Sequence, residues 1–189
     1  MAKRYEQMIA IIARCKPRKI VEVGVHKGLR AQMMCETAMK YRERVEYVGY
    51  DVFDTVDMEF HKEALNGKGA PSQARAEERL KLSGAEFGFV VGDTRETLHG
   101  HPVKADFAFI DGDHRLEAIR GDAAAINAPV IVFDDYYLPG ERGEIPDLDA
   151  YGANRVVDEM KAAGAKVEIL PIKDRCAHGG YSVLAVVYR

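Results

Sequence analysis

Five apolar runs, at 19–25, 45–51, 87–91, 106–110 and 129–133, recur along the first part of this chain, with helix-like stretches between them. The runs are nearly continuous in Val, Ile, Phe and Tyr, the pattern of strands buried on both faces of a parallel sheet. The intervening stretches repeat apolar residues at helical spacing, as in Leu29, Met33, Met34 and Ala38. Strands alternating with helices restrict the chain to a doubly wound α/β architecture with right-handed crossovers. Helices are expected near 3–15, 28–42, 72–83, 114–126 and 153–163. Two further strands, 166–170 and 181–188, are too close in sequence for a helical crossover, so they should pair antiparallel. The expectation is a seven-stranded, mostly parallel sheet with an antiparallel last strand.

At 189 residues this fits one domain, 1–189, with residues 1–17 as a leading helix that packs on the sheet through Tyr5, Met8, Ile9, Ile12 and Cys15. The stretch Asn66–Pro71 reads as a surface excursion. Residues 136–151 carry Pro139, Gly140, Gly143 and Pro146 and read as a loop; long loops in compact domains tend to be lids or binding segments.

The first strand ends in Glu22 and leads through Gly24 and Gly28 into a helix. Such a turn forms the ligand crevice of open α/β sheets. His26 stands where a dinucleotide fingerprint has its second glycine, which argues against a pyrophosphate and leaves room for an adenosine ligand without phosphates. A valine at Gly24 is expected to block such a ligand while the fold survives.

Every central strand ends in an acid: Glu22, Asp51, Asp93, Asp111, then Asp134 with Asp135. In a parallel sheet these ends share one rim, where ligands bind. Each acid alone reads equally as a cap or turn residue; five strand ends in register point to a polar binding rim. Asp51 is placed to accept ribose hydroxyls, and Val52 and Phe53 to cover a base, with Phe53 as core the plainer alternative. Asp93, with Thr94, is either a helix cap or an acceptor for an adenine amino group. Glu22 could orient the turn or receive a ligand ammonium, and His26 is a turn residue or a cofactor contact. Asp111, Asp113, His114, Asp134 and Asp135 form the densest group. Apart from His114 these are hard oxygen donors, suited to Mg²⁺ or Ca²⁺ rather than to structural zinc. Adjacent residues in a strand point opposite ways, so Asp134 and Asp135 converge with Asp111 only if the chain leaves the sheet at Asp134.

The net charge of −3 supplies no global field for nucleic acid. The longest N-terminal apolar run, Met8–Ala13, is too short to span a bilayer. Three scattered cysteines without a C-x-x-C pair suggest a reducing, cytoplasmic compartment. The expected partner is a small-molecule substrate, with a homodimer left open; neither nucleic acid nor a membrane is expected.

These residues together resemble the class I S-adenosylmethionine-dependent methyltransferases, over roughly 18–189. Glu22-x-Gly24-x-x-x-Gly28 is similar to their first motif, Asp51 to their ribose acid, and Val91–Gly92–Asp93 to the motif after the third strand. Within that class, Phe109–His114 with Phe133–Tyr136 resembles the small-molecule O-methyltransferases of macrocin and catechol type, closer to the former because no lysine base follows Asp111. The resemblance implies a Rossmann-like methyltransferase fold. It implies S-adenosylmethionine held by Glu22, Gly24, His26, Gly28, Asp51, Val52, Asp93, Thr94 and Asp111. It further implies Mg²⁺ or another divalent cation on Asp111, Asp134 and Asp135, and methyl transfer to a hydroxyl of a sugar-like or phenolic compound. Asp111 or His114 would take the proton: Asp111 matches the family better, while imidazole titrates in the more suitable range. Tyr136, Tyr137, Glu141 and Arg142 would choose the substrate, and His178 is a lesser candidate for the rim. A metal-dependent hydroxylase of the same family and a non-catalytic adenosine-binding module are the alternatives. A flipped-base methyltransferase would carry an aromatic–Pro–Pro–aromatic or Pro–Cys motif, and neither occurs.

Overall fold

In the computed structural model, residues 3–55, 71–148, 151–177 and 179–189 are described. The Asn66–Pro71 excursion up to residue 70, and His178, lie outside these residues. Helix α1 (Arg4–Cys15) buries Tyr5, Met8, Ile11 and Ile12 on one face. It ends at Lys16, whose left-handed backbone returns its N–H to the Ile12 carbonyl just before Pro17. Asp174 takes the place of a side-chain cap at the other end, accepting from the Lys3 and Arg4 amides at 3.3 Å each.

Strands β1 (Lys19–Val23) and β2 (Glu46–Asp51) follow on either side of α2 (Leu29–Met39). Helix α3 (Gln73–Ser83) starts on a Ser72 side-chain cap and leads, through Gly84 at φ +76°, into β3 (Glu86–Val91). A four-residue helix α4 (Thr94–Thr97) precedes the short β4 (Val103–Lys104) and then β5 (Phe107–Ile110). Helix α5 (Leu116–Ala125) runs into β6 (Ile126–Asn127), and β7 (Val130–Leu138) follows. The chain closes with α6 (Ala153–Ala162), β8 (Lys166–Ile169), β9 (Asp174–Arg175) and β10 (Tyr181–Tyr188).

The main sheet has the order β3-β2-β1-β5-β7-β10-β8, with β9 added against β10. Pairings among β1, β2, β3, β5 and β7 are parallel, while β10 runs antiparallel to both β7 and β8. This is the expected sheet with one more short strand than foreseen. The small parallel pair β4–β6 was not anticipated, because two residues leave no period to read.

Alternate strand residues serve two cores. Ile20, Tyr47, Phe107, Phe109, Val132 and Val186 join α1, α2 and α3 on one face. Val21, Val23, Ala108, Ile110, Ile131 and Phe133 join α5 and α6 on the other. Burial on both faces is why the strands read as unbroken apolar runs. It also fixes the sheet rigidly enough to hold all five carboxyl ends in one rim. No helix among the described residues is long and apolar enough to cross a membrane.

Strand β7 departs from expectation in a way that matters for the site. It does not stop at Phe133 but continues to Leu138, so Tyr136, Tyr137 and Leu138 are strand residues rather than loop. Its register with β10 jumps from Phe133↔Ala185 to Tyr136↔Val183, so Asp134 and Asp135 face the single residue Leu184. Asp135 adopts φ +51°, the left-handed conformation that such a bulge can demand. The chain therefore stays in the sheet, and the bulge breaks the alternation that would have pointed the two aspartates apart.

Candidate active site

Three cavities line the rim one after another. The first, about 400 Å³ including its mouth, lies against Gly24, Asp51, Val52, Asp93, Thr94 and Gly112, within the usual size range of small-molecule sites. The middle one, about 290 Å³, is lined by Asp111, His114, Asp134, Asp135 and Tyr151, and shares Gly112 and Asp113 with the first. The outer one, about 1130 Å³ and open, shares Asp135 and Tyr151 with the middle one and adds Arg4, Arg30, His26 and Tyr137.

Asp51 organises the first cleft. Its carboxylate accepts from the amides of His26 and Phe53, at 2.7 Å each, and so ties the glycine turn after β1 to the turn after β2. Burial pushes its pKa up against those bonds. Both turns are strained: His26 sits at φ +56° and Phe53 at φ +43°, a region costly for residues with a Cβ. Phe53 is buried and packs edge-on against Phe89 at 5.1 Å, so it is core and not a base cover. Asp93 is the cap of α4: it accepts from the Arg95 amide at 2.9 Å and pairs with the Arg95 guanidinium, which holds its pKa below the usual range. It also lines the cleft, so cap and acceptor are compatible roles.

Of the residues expected at the cofactor, His26, Gly28, Glu22 and Asp111 are not among those lining the first cleft. His26 lines the outer cleft from a left-handed backbone at φ +56°. Gly28 opens α2 and is held by packing: a Cβ there would stand 2.7 Å from the Ala76 Cα of α3. Glu22 is buried under the rim, accepting from the Tyr47 hydroxyl, and its other oxygen has no hydrogen-bond partner among the described residues. Asp111, for its part, lines the middle cavity. Gly24 is required twice over. Its φ is +89°, and a Cβ would stand 2.1 Å from the Asp111 carbonyl oxygen. The turn thus packs against the Asp111–Gly112 backbone as well as bordering the cleft.

Burial raises the Glu22 pKa from 4.5 to about 8, opposed by the Tyr47 hydrogen bond and Arg30. The native state therefore keeps a proton that the unfolded chain releases above 4.5. Stability from this group is present at acid pH and falls as pH rises through 4.5 to about 8, by up to about 1.4 kcal/mol per pH unit. Glu22→Gln should flatten that part of the profile in denaturant titrations at pH 5, 7 and 9. Identical slopes in the two proteins would show that Glu22 is charged in the native state.

The triad expected from the sequence does assemble: one ligand atom from each of Asp111, Asp134 and Asp135 lies within 4.8 Å of the others. Asp113 does not join it, being turned to the Arg115 amide and guanidinium. What the sequence did not reveal is the cations already there. Arg4 places Nε 2.8 Å from Asp134 Oδ1 and Nη2 3.1 Å from Oδ2, and reaches Asp135 at 3.5 Å and Asp174 at 3.1 Å. Arg30 donates to Asp111 at 2.8 Å. The ring of Tyr5 lies 4.7 Å from both guanidinium carbons, and its hydroxyl donates to Asp134.

A divalent ion needs free oxygen lone pairs. Two carboxylate oxygens offer about four acceptor positions. At Asp134 the Arg4 Nε and the Asp135 amide fill Oδ1, while Arg4 Nη2 and the Tyr5 hydroxyl fill Oδ2. The donor set has the chemistry of Mg²⁺, yet Asp134 has nothing left to give, so the triad as it stands does not fit the ion. Nothing in the sequence pattern distinguishes Arg4 from a solvated helix residue.

His114, the other candidate for the base, lies beside Asp135. Its Nδ1 lies 3.3 Å from Asp135 Oδ2, while Ser182 donates to Asp135 Oδ1 at 3.0 Å. Of the residues proposed to choose the substrate, Tyr137 lines the outer cleft, where its ring meets Tyr151 edge-on at 5.6 Å. Asn154 fixes its backbone with two hydrogen bonds, at 2.8 and 2.9 Å. Tyr136 instead turns toward Asp158 of α6, and Glu141 and Arg142 belong to an exposed turn.

The sequence profile of a family described as "methyltransferase domain" matches residues 21–136, more than half of the chain. No curated protein sequence matches. Solved structures similar to it include cofactor-bound Rv0187 from MTB (20% identity, TM-score 0.64, covering 100% of this chain and 80% of that one). Others are the O-methyltransferase TomG from Streptomyces achromogenes, involved in tomaymycin synthesis and in complex with SAM (16%, 0.61, 97% and 78%), and an O-methyltransferase from Bacillus cereus in complex with SAH (14%, 0.60, 100% and 82%). At these identities the likeness is one of fold, and it agrees with the strand order and the antiparallel β10. With its profile match, its sheet and its acidic rim in agreement, the chain belongs to the methyltransferase-domain family and has the class I methyltransferase fold.

Proposed function

We propose that this protein transfers a methyl group from S-adenosylmethionine to a hydroxyl oxygen of a small molecule, with His114 as base. The observation that carries the reading is the His114–Asp135 pair in a chamber that joins two clefts. One cleft holds Asp51 and Asp93, suited to a nucleoside; the other is walled by tyrosines, suited to a ring-shaped acceptor such as a sugar or phenol. When bound, S-adenosylmethionine supplies an electrophilic methyl group on a cationic sulfur. The protein's own task is to align the acceptor oxygen and take its proton, and alignment alone contributes several kcal/mol. Asp135 holds the Nδ1 side of His114, which leaves Nε2 to accept the proton, the usual division of labour between a base and the carboxylate that orients it. Asp111 is bound to Arg30, which makes it the poorer proton acceptor of the two. Free thiols at Cys15, Cys35 and Cys176 support a reducing, cytoplasmic setting.

Asp51→Ala should weaken S-adenosylmethionine by about 1.5–3 kcal/mol, the scale of a charge-assisted hydrogen bond. Titration calorimetry measures it, and unchanged affinity would remove Asp51 from the cofactor site. A methyl-transfer screen over sugars and phenols tests the whole reading; cofactor binding without transfer to any hydroxyl would favour an adenosine-binding module.

A further inference from the structure

We propose that Arg4 is the built-in cation of the rim: its guanidinium takes the position that a divalent metal would occupy among Asp111, Asp134 and Asp135, and the protein therefore does not bind one there. This goes beyond the methyl-transfer reading and stands apart from it, since it concerns what the carboxylates hold and not what reacts.

The inference rests on how completely Arg4 is seated. It meets Asp134 with Nε and Nη2, a bidentate contact that an arginine makes with a carboxylate and a lysine cannot. Its remaining nitrogen bonds Asp174, and its plane stacks on Tyr5. The helix that carries it is clamped at the same point. Asp174 accepts from the Lys3 and Arg4 amides where the helix begins, and Gln7 exchanges two hydrogen bonds with the Ile172 backbone, at 3.0 and 3.3 Å. Arg4 is thus delivered by a fixed element and is not a surface side chain folded in by chance; only 12% of it is exposed.

Charge leads to the same conclusion. Asp111, Asp134 and Asp135 carry three negative charges, and Arg30 already pairs with Asp111. With Arg4 in place, each remaining acid has a cationic or hydrogen-bonding partner, and an incoming dication would face a guanidinium within about 4 Å of its ligands. Without Arg4, the buried Asp134 and the partly buried Asp135 would stand less than 5 Å apart with no guanidinium between them, which is the environment that a hard cation relieves.

The test uses Mn²⁺ alone, without cofactor or acceptor, so its outcome is separate from that of any activity assay. Free Mn²⁺ is followed by electron paramagnetic resonance in the wild type, Asp135→Asn, Arg4→Ala and Arg4→Ala/Asp135→Asn. The wild type should not deplete the free signal at millimolar Mn²⁺. Arg4→Ala should bind one equivalent at least about tenfold more tightly, and Asp135→Asn should abolish the gain. A thermal-shift series in Mg²⁺ should likewise raise the melting temperature of Arg4→Ala only. One equivalent bound by the wild type and lost in Asp135→Asn overturns the proposal, and so does a folded Arg4→Ala that gains no affinity. Should Arg4→Ala fail to fold, Arg4→Gln keeps most of the stem and an amide donor and carries the same comparison, and the wild type against Asp135→Asn can overturn the proposal without either variant.

Discussion

His114→Ala should slow methyl transfer by at least about two orders of magnitude at saturating cofactor, the lower end of what a positioned base contributes. Affinity for S-adenosylmethionine should stay within about twofold, because His114 lines the middle cavity and not the first cleft. Asp111→Asn should behave differently. Arg30 is protonated and only partly exposed beside the buried Asp111, so removing the acid leaves a guanidinium without its counter-ion. Breaking such a pair costs about 3–5 kcal/mol. The expected signature is a lower melting temperature with a smaller loss of rate in whatever fraction remains folded. The family resemblance ranks these two residues the other way. Single-turnover rates on folded protein decide: if Asp111→Asn is the slower variant at equal stability, the proton goes to Asp111, and His114 only positions it.

Gly24→Val should abolish cofactor binding, and it should not leave the fold untouched as the turn sequence alone suggests. A β-branched side chain at φ +89° is strained whatever surrounds it. Here its Cβ would also overlap the Asp111 carbonyl oxygen at 2.1 Å and the Gly112 nitrogen at 2.7 Å. Both atoms belong to the backbone between β5 and α5, so neither can swing aside as a side chain would. We expect several kcal/mol of destabilisation, with loss of protection at Asp111 and Gly112 in hydrogen exchange. Undetectable binding in a variant with wild-type stability and exchange would mean that the turn meets only the ligand.

The sheet was legible because its central strands are buried on both faces, and burial on both faces writes itself as continuous apolar runs. The rim was legible for a related reason: parallel strands place their carboxyl ends together, so Asp51, Asp93, Asp111, Asp134 and Asp135 line neighbouring cavities, while Glu22 sits beneath them. The β7 bulge was not, since the sequence Val130–Leu138 carries no glycine to announce a left-handed residue at Asp135. Nor were the counter-ions. Arg4 lies 130 positions from Asp134, and Arg30 lies 81 from Asp111; only the packing of α1 and α2 on one face of the sheet brings them to the acids. Propensity and spacing report on neighbours along the chain, whereas the electrostatics of this site is made between elements.

The left-handed residues of the rim also bear on how a protein of this kind can change. His26, Phe53 and Asp135 hold a backbone conformation that costs a residue with a Cβ about 1–2 kcal/mol. Glycine at position 26 would release that cost and remove a ring from the mouth of the outer cleft. Phe53 and Asp135 have no such route, because one is core and the other orients the base. Adaptation to heat would therefore reach position 26 first, and thermostable relatives should trade acceptor selectivity there while leaving the reaction itself intact.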